Sequence, residues 1–352
     1  MPQSSVIVVR PLRVLSVVLL ACVLLAPTSH AQGLGAGLLD RYLDALRLQF
    51  GIPGLSAALV QDGRIVWQRG YGYADVASAV PVTPTTPFPV LGLTQSISAA
   101  YLLGECVDSG RLELTDRVIR WTPFADASTT ITDLLAHVSA TGSYRFDPAR
   151  FDILSGVTLQ CAGEPFGRGF SARVLDRLAM FDSLPGRELA DVQPSRTLPG
   201  ATIERYAAVA RRIATPYRVD ARQAAARSEF AAAPFSPSSG LISTARDLAS
   251  FDAAIGDGLL MSDAAQAAAW SAPAGRPTGL GWFVQSYNGQ RVVWQAGLAR
   301  DAYSTLMVKL PDRRLTLVLL ANSDALTSAI SQTDPDVTAS LFARTFLRLF
   351  VN

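Results

Sequence analysis

The chain has 352 residues, of which 49% are hydrophobic and 17% are charged, and its formal net charge is +2. This composition is typical of a globular protein with a large core, and it excludes a disordered chain. Because no block of like charge occurs in the sequence, we expect neither nucleic acid nor an acidic lipid surface as a partner.

The first 31 residues have the pattern of a secretory signal peptide. A basic start precedes the apolar stretch Val14–Leu25, and the small-residue ending Ser29-His30-Ala31 follows it. The apolar stretch is short for a bilayer span, so we expect no transmembrane span in the mature chain. We therefore predict cleavage near Ala31 and export to the periplasm or beyond. The run Leu19-Leu20-Ala21-Cys22 resembles a lipobox and leaves a lipoprotein anchored at Cys22 as the alternative.

Two cysteines, Cys106 and Cys161, belong to the mature chain. Each lies within an apolar helical pattern, which predicts buried free thiols. A disulfide between them is the alternative, because an exported protein folds in an oxidising compartment.

The predicted elements place strands near both ends of the chain and helices between them. A helical pattern over Leu38–Phe50 is followed by two strand patterns around Asp62-Gly63, which predict a hairpin. Helical patterns then dominate, over Thr94–Asp108, Thr132–Ala136, Arg150–Ala162, Ser171–Met180 and Thr202–Ile213. Strand patterns return at Trp282–Val284, Val292–Trp294, Tyr303–Lys309 and Leu315–Ala321, before a closing helix over Val337–Leu349.

This order predicts an α/β (α+β) fold in which an antiparallel sheet is flanked by helices. After the signal peptide, 1–31, a single domain would cover residues 32–352. Its α/β lobe would come from about residues 36–90 and 235–352, with a helical lobe of about residues 91–234 inserted between them.

Several stretches resemble those of class C β-lactamases, D-alanyl-D-alanine carboxypeptidases and related esterases. They are Gly51–Ser56, Asp62–Trp67, Gly70–Asp75, Ile131–Ser139 and Ser239–Leu248. On these residues the chain, over about 36–349, is similar to the serine β-lactamase and penicillin-binding-protein superfamily. The resemblance implies a β-lactamase/transpeptidase-like fold and the chemistry of a serine hydrolase.

The family's first catalytic motif, S-x-x-K, is replaced in this sequence. In that motif the serine attacks a carbonyl group and the lysine one helical turn later activates it. Alignment on the predicted buried helix places Gly92 at the serine position and Gln95 at the lysine position. Glycine has no oxygen with which to attack, and a glutamine amide does not accept a proton near neutral pH.

The two other motifs of the family also depart from the pattern. Where the family has tyrosine, any residue and asparagine, the best register places Phe146 and Pro148, and a shift by two residues would place Tyr144 at the tyrosine position. In the third motif, a basic residue followed by any residue and glycine, Gln295 stands at the basic position and Gly297 is retained.

A composition check that needs no alignment points the same way. The chain contains one lysine, Lys309, and the mature chain contains one histidine, His137. Lys309 has Leu306 three residues before it, so S-x-x-K does not occur in any register. We interpret His137 as a structural residue.

These replacements predict a pseudoenzyme that retains a ligand-binding or regulatory cleft. The candidate cleft residues are Gly92, Gln95, Ser96, Tyr144, Phe146, Gln295 and Gly297. The expected partner is a small molecule, a peptidoglycan-like ligand or a protein, and neither cofactor nor metal is expected. The alternative is a serine hydrolase of esterase, β-lactamase or carboxypeptidase type with a non-standard site, such as Ser96 acting with Tyr144.

Overall fold

A computed structural model describes residues 28–123, 126–139, 141–190 and 200–351. Residues 1–27 of the predicted signal peptide, including Cys22 of the alternative lipobox, lie outside the described residues. Within the described ranges, no helix combines the length and the apolar character that a membrane span needs.

A seven-stranded antiparallel sheet forms the centre of the fold, with the strand order β3-β2-β1-β11-β10-β9-β8. Two small pairs, β4 with β7 and β5 with β6, lie outside it. The strands are β1 Gly54–Gln61, β2 Arg64–Asp75, β3 Val80–Pro81, β4 Phe88–Pro89, β5 Tyr217–Val219, β6 Ala225–Arg227, β7 Ile242–Ser243, β8 Phe283–Tyr287, β9 Gln290–Ala299, β10 Tyr303–Leu310 and β11 Leu315–Ala321.

The helices fall at the two ends of the described chain and in a long segment between β4 and β8. They are α1 Thr28–Gln49, α2 Leu93–Leu102, α3 Ile131–Leu135, α4 Pro148–Phe151, α5 Leu154–Ala162, α6 Phe166–Phe170, α7 Gly200–Ala210, α8 Ala245–Gly256, α9 Asp263–Ala269 and α10 Leu341–Val351. Two π-helical segments, Leu103–Val107 after α2 and Ser171–Asp176 after α6, continue their helices.

The two-residue period of β1 explains how the sheet is covered on both faces. Leu55, Ala57 and Leu59 join the core that α1 and α10 close, whereas Ala58 and Val60 join the core that contains α2 and α8. Both faces of the sheet are therefore buried under helices. This antiparallel sheet flanked by helices confirms the predicted fold class.

The predicted hairpin is present between β1 and β2. Gln61 pairs with Arg64, and both turn residues, Asp62 and Gly63, have positive φ angles of 51° and 73°. Two positive φ angles are typical of the type I′ turn that suits the right-handed twist of the strands.

The prediction of free thiols is wrong, because Cys106 and Cys161 form a disulfide. Cys106 lies in the π-helical segment after α2 and Cys161 lies near the end of α5, with 6.0 Å between their Cα atoms. Helical periodicity indicated that these side chains point inward, but it did not indicate which residue each of them faces.

Candidate functional site

Gly92 stands immediately before α2, in a loop that is held on two sides. The backbone N–H of Val90 donates to the carbonyl oxygen of Leu241 at 2.9 Å, and Thr305 Oγ1 on β10 donates to the carbonyl oxygen of Val90 at 2.9 Å. Leu91 has a φ of +54°, a left-handed conformation that is strained for a leucine. This loop sets the start of α2 directly against β9.

The contact between this loop and β9 leaves no room for a side chain at residue 92. A Cβ atom added to Gly92 would lie 2.3 Å from the carbonyl oxygen of Ala296, well inside van der Waals contact. Gly297 faces the same contact, because a Cβ added there would lie 2.5 Å from Leu91 Cβ and 2.9 Å from the backbone nitrogen of Gly92. The place that a serine side chain would need is therefore occupied by the backbone of β9.

Gln95, one turn along α2, is bonded to a histidine. Its Oε1 accepts from His137 Nε2 at 2.8 Å, and His137 Nδ1 accepts from the backbone N–H of Asp147 at 3.2 Å. The backbone donor requires an unprotonated Nδ1, so Nε2 carries the hydrogen in the neutral ring. Burial lowers the pKa of His137 to about 4, and the imidazole is neutral at pH 7.

An aromatic cluster surrounds the His137 ring. Phe146 and Phe151 lie against it with ring centroids at 4.7 and 5.4 Å, and Phe146 in turn stacks on Phe283. Phe283 stacks on Trp294 of β9 at 4.4 Å. Phe146 is thus placed next to the Gln95–His137 pair by apolar contacts, and a phenyl ring offers no group that could move a proton.

Tyr144 and Pro148 have other contacts. The Tyr144 hydroxyl donates to the carbonyl oxygen of Gln332 at 2.8 Å, and burial raises the pKa of this phenol. Pro148 is the first residue of α4, where Asp147 caps the helix by accepting from the backbone N–H of Arg150. A proline at this first position is favoured because its missing N–H would be unpaired in any case.

Gln295 and Ser96 converge on one backbone oxygen, that of Gly281. Gln295 Nε2 donates to it at 3.3 Å and Ser96 Oγ donates to it at 2.6 Å, while Gln295 Oε1 accepts from the N–H of Ala296 at 2.9 Å. Gln295 is 3% exposed and Ser96 is 1% exposed. Both side chains are buried and bonded, so neither presents a free polar group to a ligand.

Gly281 also belongs to this site, although no motif in the sequence includes it. Its φ is +76°, and a Cβ added to it would lie 2.5 Å from Ala99 Cβ of α2. Only glycine allows the backbone to approach α2 this closely. The signal in the sequence was the pair Gly279 and Gly281 directly before the predicted strand Trp282–Val284, since glycine next to a strand often marks a close backbone approach.

The chemistry available here is that of hydrogen-bonded amides and packed aromatic rings. Within the described ranges, no group of three or more histidine, cysteine, aspartate or glutamate side chains could hold a metal ion. A small pocket of about 20 Å³, lined in part by Phe146, Trp294 and Gly297, lies beside the aromatic cluster. It is about the size of one water molecule.

The sheet, the helices that flank it and the helical segment before β8 define the β-lactamase/transpeptidase class of fold. The family model described as Beta-lactamase matches residues 39–335. The chain therefore belongs to the β-lactamase family.

Two curated relatives match over part of their length. Protein flp of Staphylococcus aureus is 33% identical over 95 residues, which are 25% of this chain and 19% of that protein. Serine beta-lactamase-like protein LACTB, mitochondrial, of Homo sapiens is 29% identical over 113 residues, 30% of this chain and 20% of that protein. The match thus spans about a fifth of the length of these relatives.

Two solved structures match over most of this chain. The octameric penicillin-binding protein homologue from Pyrococcus abyssi has a TM-score of 0.67 and 17% identity, and the match covers 89% of this chain and 77% of that one. The D-amino acid amidase from Ochrobactrum anthropi has a TM-score of 0.67 and 18% identity, with 92% of this chain and 99% of that one covered. At these identities the likeness shows the fold alone.

Proposed function

We propose that this chain is a catalytically inactive member of the β-lactamase family that acts by non-covalent binding. The observation that carries the proposal is the contact between Gly92 and the carbonyl oxygen of Ala296, 2.3 Å from the position of an added Cβ. A serine at the family's nucleophile position would need the space that β9 occupies. The chain therefore lacks both the nucleophile and the room for one.

The general base is missing as well. Gln95 stands at the lysine position and is bonded to His137, and the single lysine of the chain lies elsewhere, on β10. Lys309 Nζ is buried, donates to Asp252 and lies 4.8 Å from the centroid of the Trp270 ring. Removing the catalytic residues of a serine hydrolase lowers turnover by about 10⁶-fold, so a covalent cycle would be too slow to be the role of this protein.

The alternative function is hydrolysis at a non-standard site, in line with the amidase activity that names the Ochrobactrum anthropi protein. It would use Ser96 as the nucleophile with Tyr144 as the base. Ser96 is 1% exposed and donates to Gly281, and the Tyr144 hydroxyl donates to Gln332. These contacts favour the proposal of an inactive protein. The hydroxyl groups of Ser96 and Tyr144 are both hydrogen-bonded already, and Ser96 is closed off from solvent.

The test is intact-mass analysis of the folded mature protein after incubation with benzylpenicillin and, separately, with a fluorophosphonate serine probe. We expect no adduct with either reagent, while an active serine β-lactamase serves as the reactive control. Ser96→Ala is the matched variant. A stoichiometric adduct that disappears in Ser96→Ala would establish the hydrolase, and an adduct on any other serine would equally overturn the inactive protein.

We also propose that the protein is exported. The pattern over residues 1–31 supports a cleaved signal peptide, and the disulfide between Cys106 and Cys161 suits an oxidising compartment. Expression of the full-length chain in a bacterium should give a periplasmic protein. Its intact mass should match a chain whose first residue is Gln32. An intact mass that matches a chain starting at a lipid-modified Cys22 would indicate a lipoprotein. Full-length protein in the cytosol would contradict export.

A further inference from the structure

A second pocket, here called the side pocket, lies next to β4 and the β5–β6 hairpin and has a volume of about 440 Å³. The residues that matter for its chemistry are Arg187, Ile213, Arg227, Phe230, Ile242 and Tyr303. Gly92, Gln95 and Gln295 are not among the described residues that line it. Its volume falls in the range of about 300–1,000 Å³ in which proteins hold small molecules.

One wall of the side pocket is apolar and firmly held. Ile242 and Tyr303 are each 2% exposed, and Phe230 packs edge-on against the Tyr303 ring with 5.1 Å between centroids. The Tyr303 hydroxyl donates to the carbonyl oxygen of Ala214 at 2.5 Å, which fixes the ring and uses the polar end of the side chain. Ile242 and Tyr303 thus form a fixed support, and the half-buried side chains of Phe230 and Ile213 present apolar surface to the pocket. This wall suits an apolar ligand body.

The rim of the side pocket carries an excess of positive charge. Arg187 and Arg227 line it from two separate elements, and Glu229 is the acidic residue that lines it within the described part of the chain. Burial raises the pKa of the Tyr303 phenol, and the charge of Arg187 acts on that pKa in the opposite direction. Guanidinium groups bind carboxylates through two parallel N–H donors.

We propose that the side pocket binds a small monocarboxylate with an aryl or alkyl body. The apolar body lies against Phe230 and Ile213, and the carboxylate accepts from Arg227 and Arg187. This inference goes beyond the proposed function, because Gly92, Gln95 and Gln295 are not among the described residues that line the side pocket. The net charge of the lining favours a monoanion over a neutral or cationic ligand of the same shape.

The probe is 4-phenylbutyrate, titrated into the mature protein and followed by ligand-observed NMR, with the neutral 4-phenylbutanamide as the control ligand. A ligand of this size binds with a dissociation constant on the order of 1 mM. We expect saturable binding of the acid and at least about 10-fold weaker binding of the amide, because the neutral amide oxygen lacks the charge-assisted, two-bond pairing that a carboxylate makes with a guanidinium group.

The variants are Arg227→Gln and Arg187→Gln, with Arg222→Gln as the matched control. Arg222 is exposed in the turn of the β5–β6 hairpin and does not line the side pocket. Each pocket variant should raise the dissociation constant of 4-phenylbutyrate by about 10-fold, whereas Arg222→Gln should bind it with the affinity of the unmodified protein. Phe230→Ala should weaken the binding of the acid and the binding of the amide by the same factor.

The two proposals fail by different results. A serine adduct in the mass experiment would contradict the proposal that the protein is catalytically inactive. It would not affect the proposal that the side pocket binds a carboxylate. Any of three results would contradict carboxylate binding in the side pocket. They are the absence of saturable binding by the folded protein up to about 10 mM acid, equal affinity for the acid and the amide, and an unchanged affinity for the acid in both arginine variants.

Discussion

His137 makes the stability of the protein fall as the solution is acidified. Burial lowers its pKa from 6.5 to about 4, so between these values the unfolded chain binds a proton that the folded protein does not. The free energy of unfolding should therefore drop by up to about 3 kcal/mol from pH 7 to pH 4 on account of this residue. His137→Asn, which tolerates the φ of +51°, removes the titration. Urea unfolding at pH 7.5 and 4.5 measures the difference.

The variant also loses the ring contacts with Phe146 and Phe151, so its stability will be lower at every pH. The informative quantity is the change in unfolding free energy between the two pH values. Equal changes in the unmodified protein and in His137→Asn would show that the ring is protonated in the folded state.

Asp247 acts in the opposite direction. Burial raises its pKa from 3.8 to about 6, although Ser183 Oγ and the N–H of Asp182 both donate to its Oδ2. Because the folded pKa is raised, the stabilisation from this group is complete below pH 3.8 and is lost as pH rises through 6. Asp247→Asn keeps an acceptor oxygen without the buried charge, so it should be more stable than the unmodified protein at pH 8, by about 1–3 kcal/mol.

Thermal and urea unfolding at pH 8 and pH 5 would measure this gain, which should shrink towards pH 5. Asp263→Asn is the matched control, because Asp263 is an exposed residue in the first turn of a helix. A variant that is less stable at pH 8 would mean that the charged carboxylate is better solvated in the folded state than its burial implies.

Short motifs in the sequence were enough to propose the candidate-site residues, whereas the contacts of these residues could not be predicted. Alignment on short motifs places Gly92, Gln95 and Gln295 in the sequence, because each motif is local. The bond from Gln95 to His137 joins residues 42 positions apart, and the shared acceptor of Ser96 and Gln295 is the backbone of Gly281. A sequence pattern carries no signal for such contacts, since they depend on how separate elements pack.

At the scale of elements, the hydrophobic period and the length of a strand or helix decided whether it could be predicted from the sequence. The long strands β1, β10 and β11 and the helix α2 have clear patterns, and the structure contains all of them. The two-residue pair β4 with β7 and the π-helical segments are too short or too irregular for a periodic signal. The closing helix begins at Leu341 rather than Val337, because a 3₁₀ turn over Val337–Ala339 precedes it.

The disulfide ties the π-helical segment after α2 to α5 and should contribute strongly to stability. It closes a loop of 55 residues, for which the loss of chain entropy in the unfolded state gives about 4 kcal/mol. The double variant Cys106→Ala/Cys161→Ala should unfold at a lower urea concentration than the oxidised protein. Because Cys106 is fully buried, alanine avoids placing an unpaired hydroxyl group in the core.

A reductant supplies the control for the disulfide variant. Dithiothreitol should lower the urea midpoint of the unmodified protein towards that of the double variant and leave the variant unchanged. If the reductant moved both proteins equally, or neither of them, the bridge would not be the source of the difference.

At the scale of the whole molecule, the two ends of the described chain build one sheet. β1 lies between β2 and β11, and Asn322 ties these parts together by accepting from the N–H of Gly54 at 2.7 Å and donating to the carbonyl oxygen of Tyr73 at 3.0 Å. The position of β9 follows from its pairing with β10 in this sheet. The contact between the start of α2 and β9 is therefore set by the architecture of the sheet.

This architecture predicts that restoring the catalytic residue types will not restore acylation. In Gly92→Ser/Gln95→Lys/Gln295→Lys the serine Cβ would lie 2.3 Å from the carbonyl oxygen of Ala296, so the strand must shift, which costs about 1–3 kcal/mol. The two lysines stand at buried positions and lower the stability further. Gly37→Ser is the matched control, because a Cβ at that position of α1 meets no atom within 4 Å. Urea unfolding should show the loss in the triple variant alone, and intact-mass analysis with the fluorophosphonate probe should show no adduct. An adduct on residue 92 would mean that β9 yields readily, and that the missing residues alone keep the protein inactive.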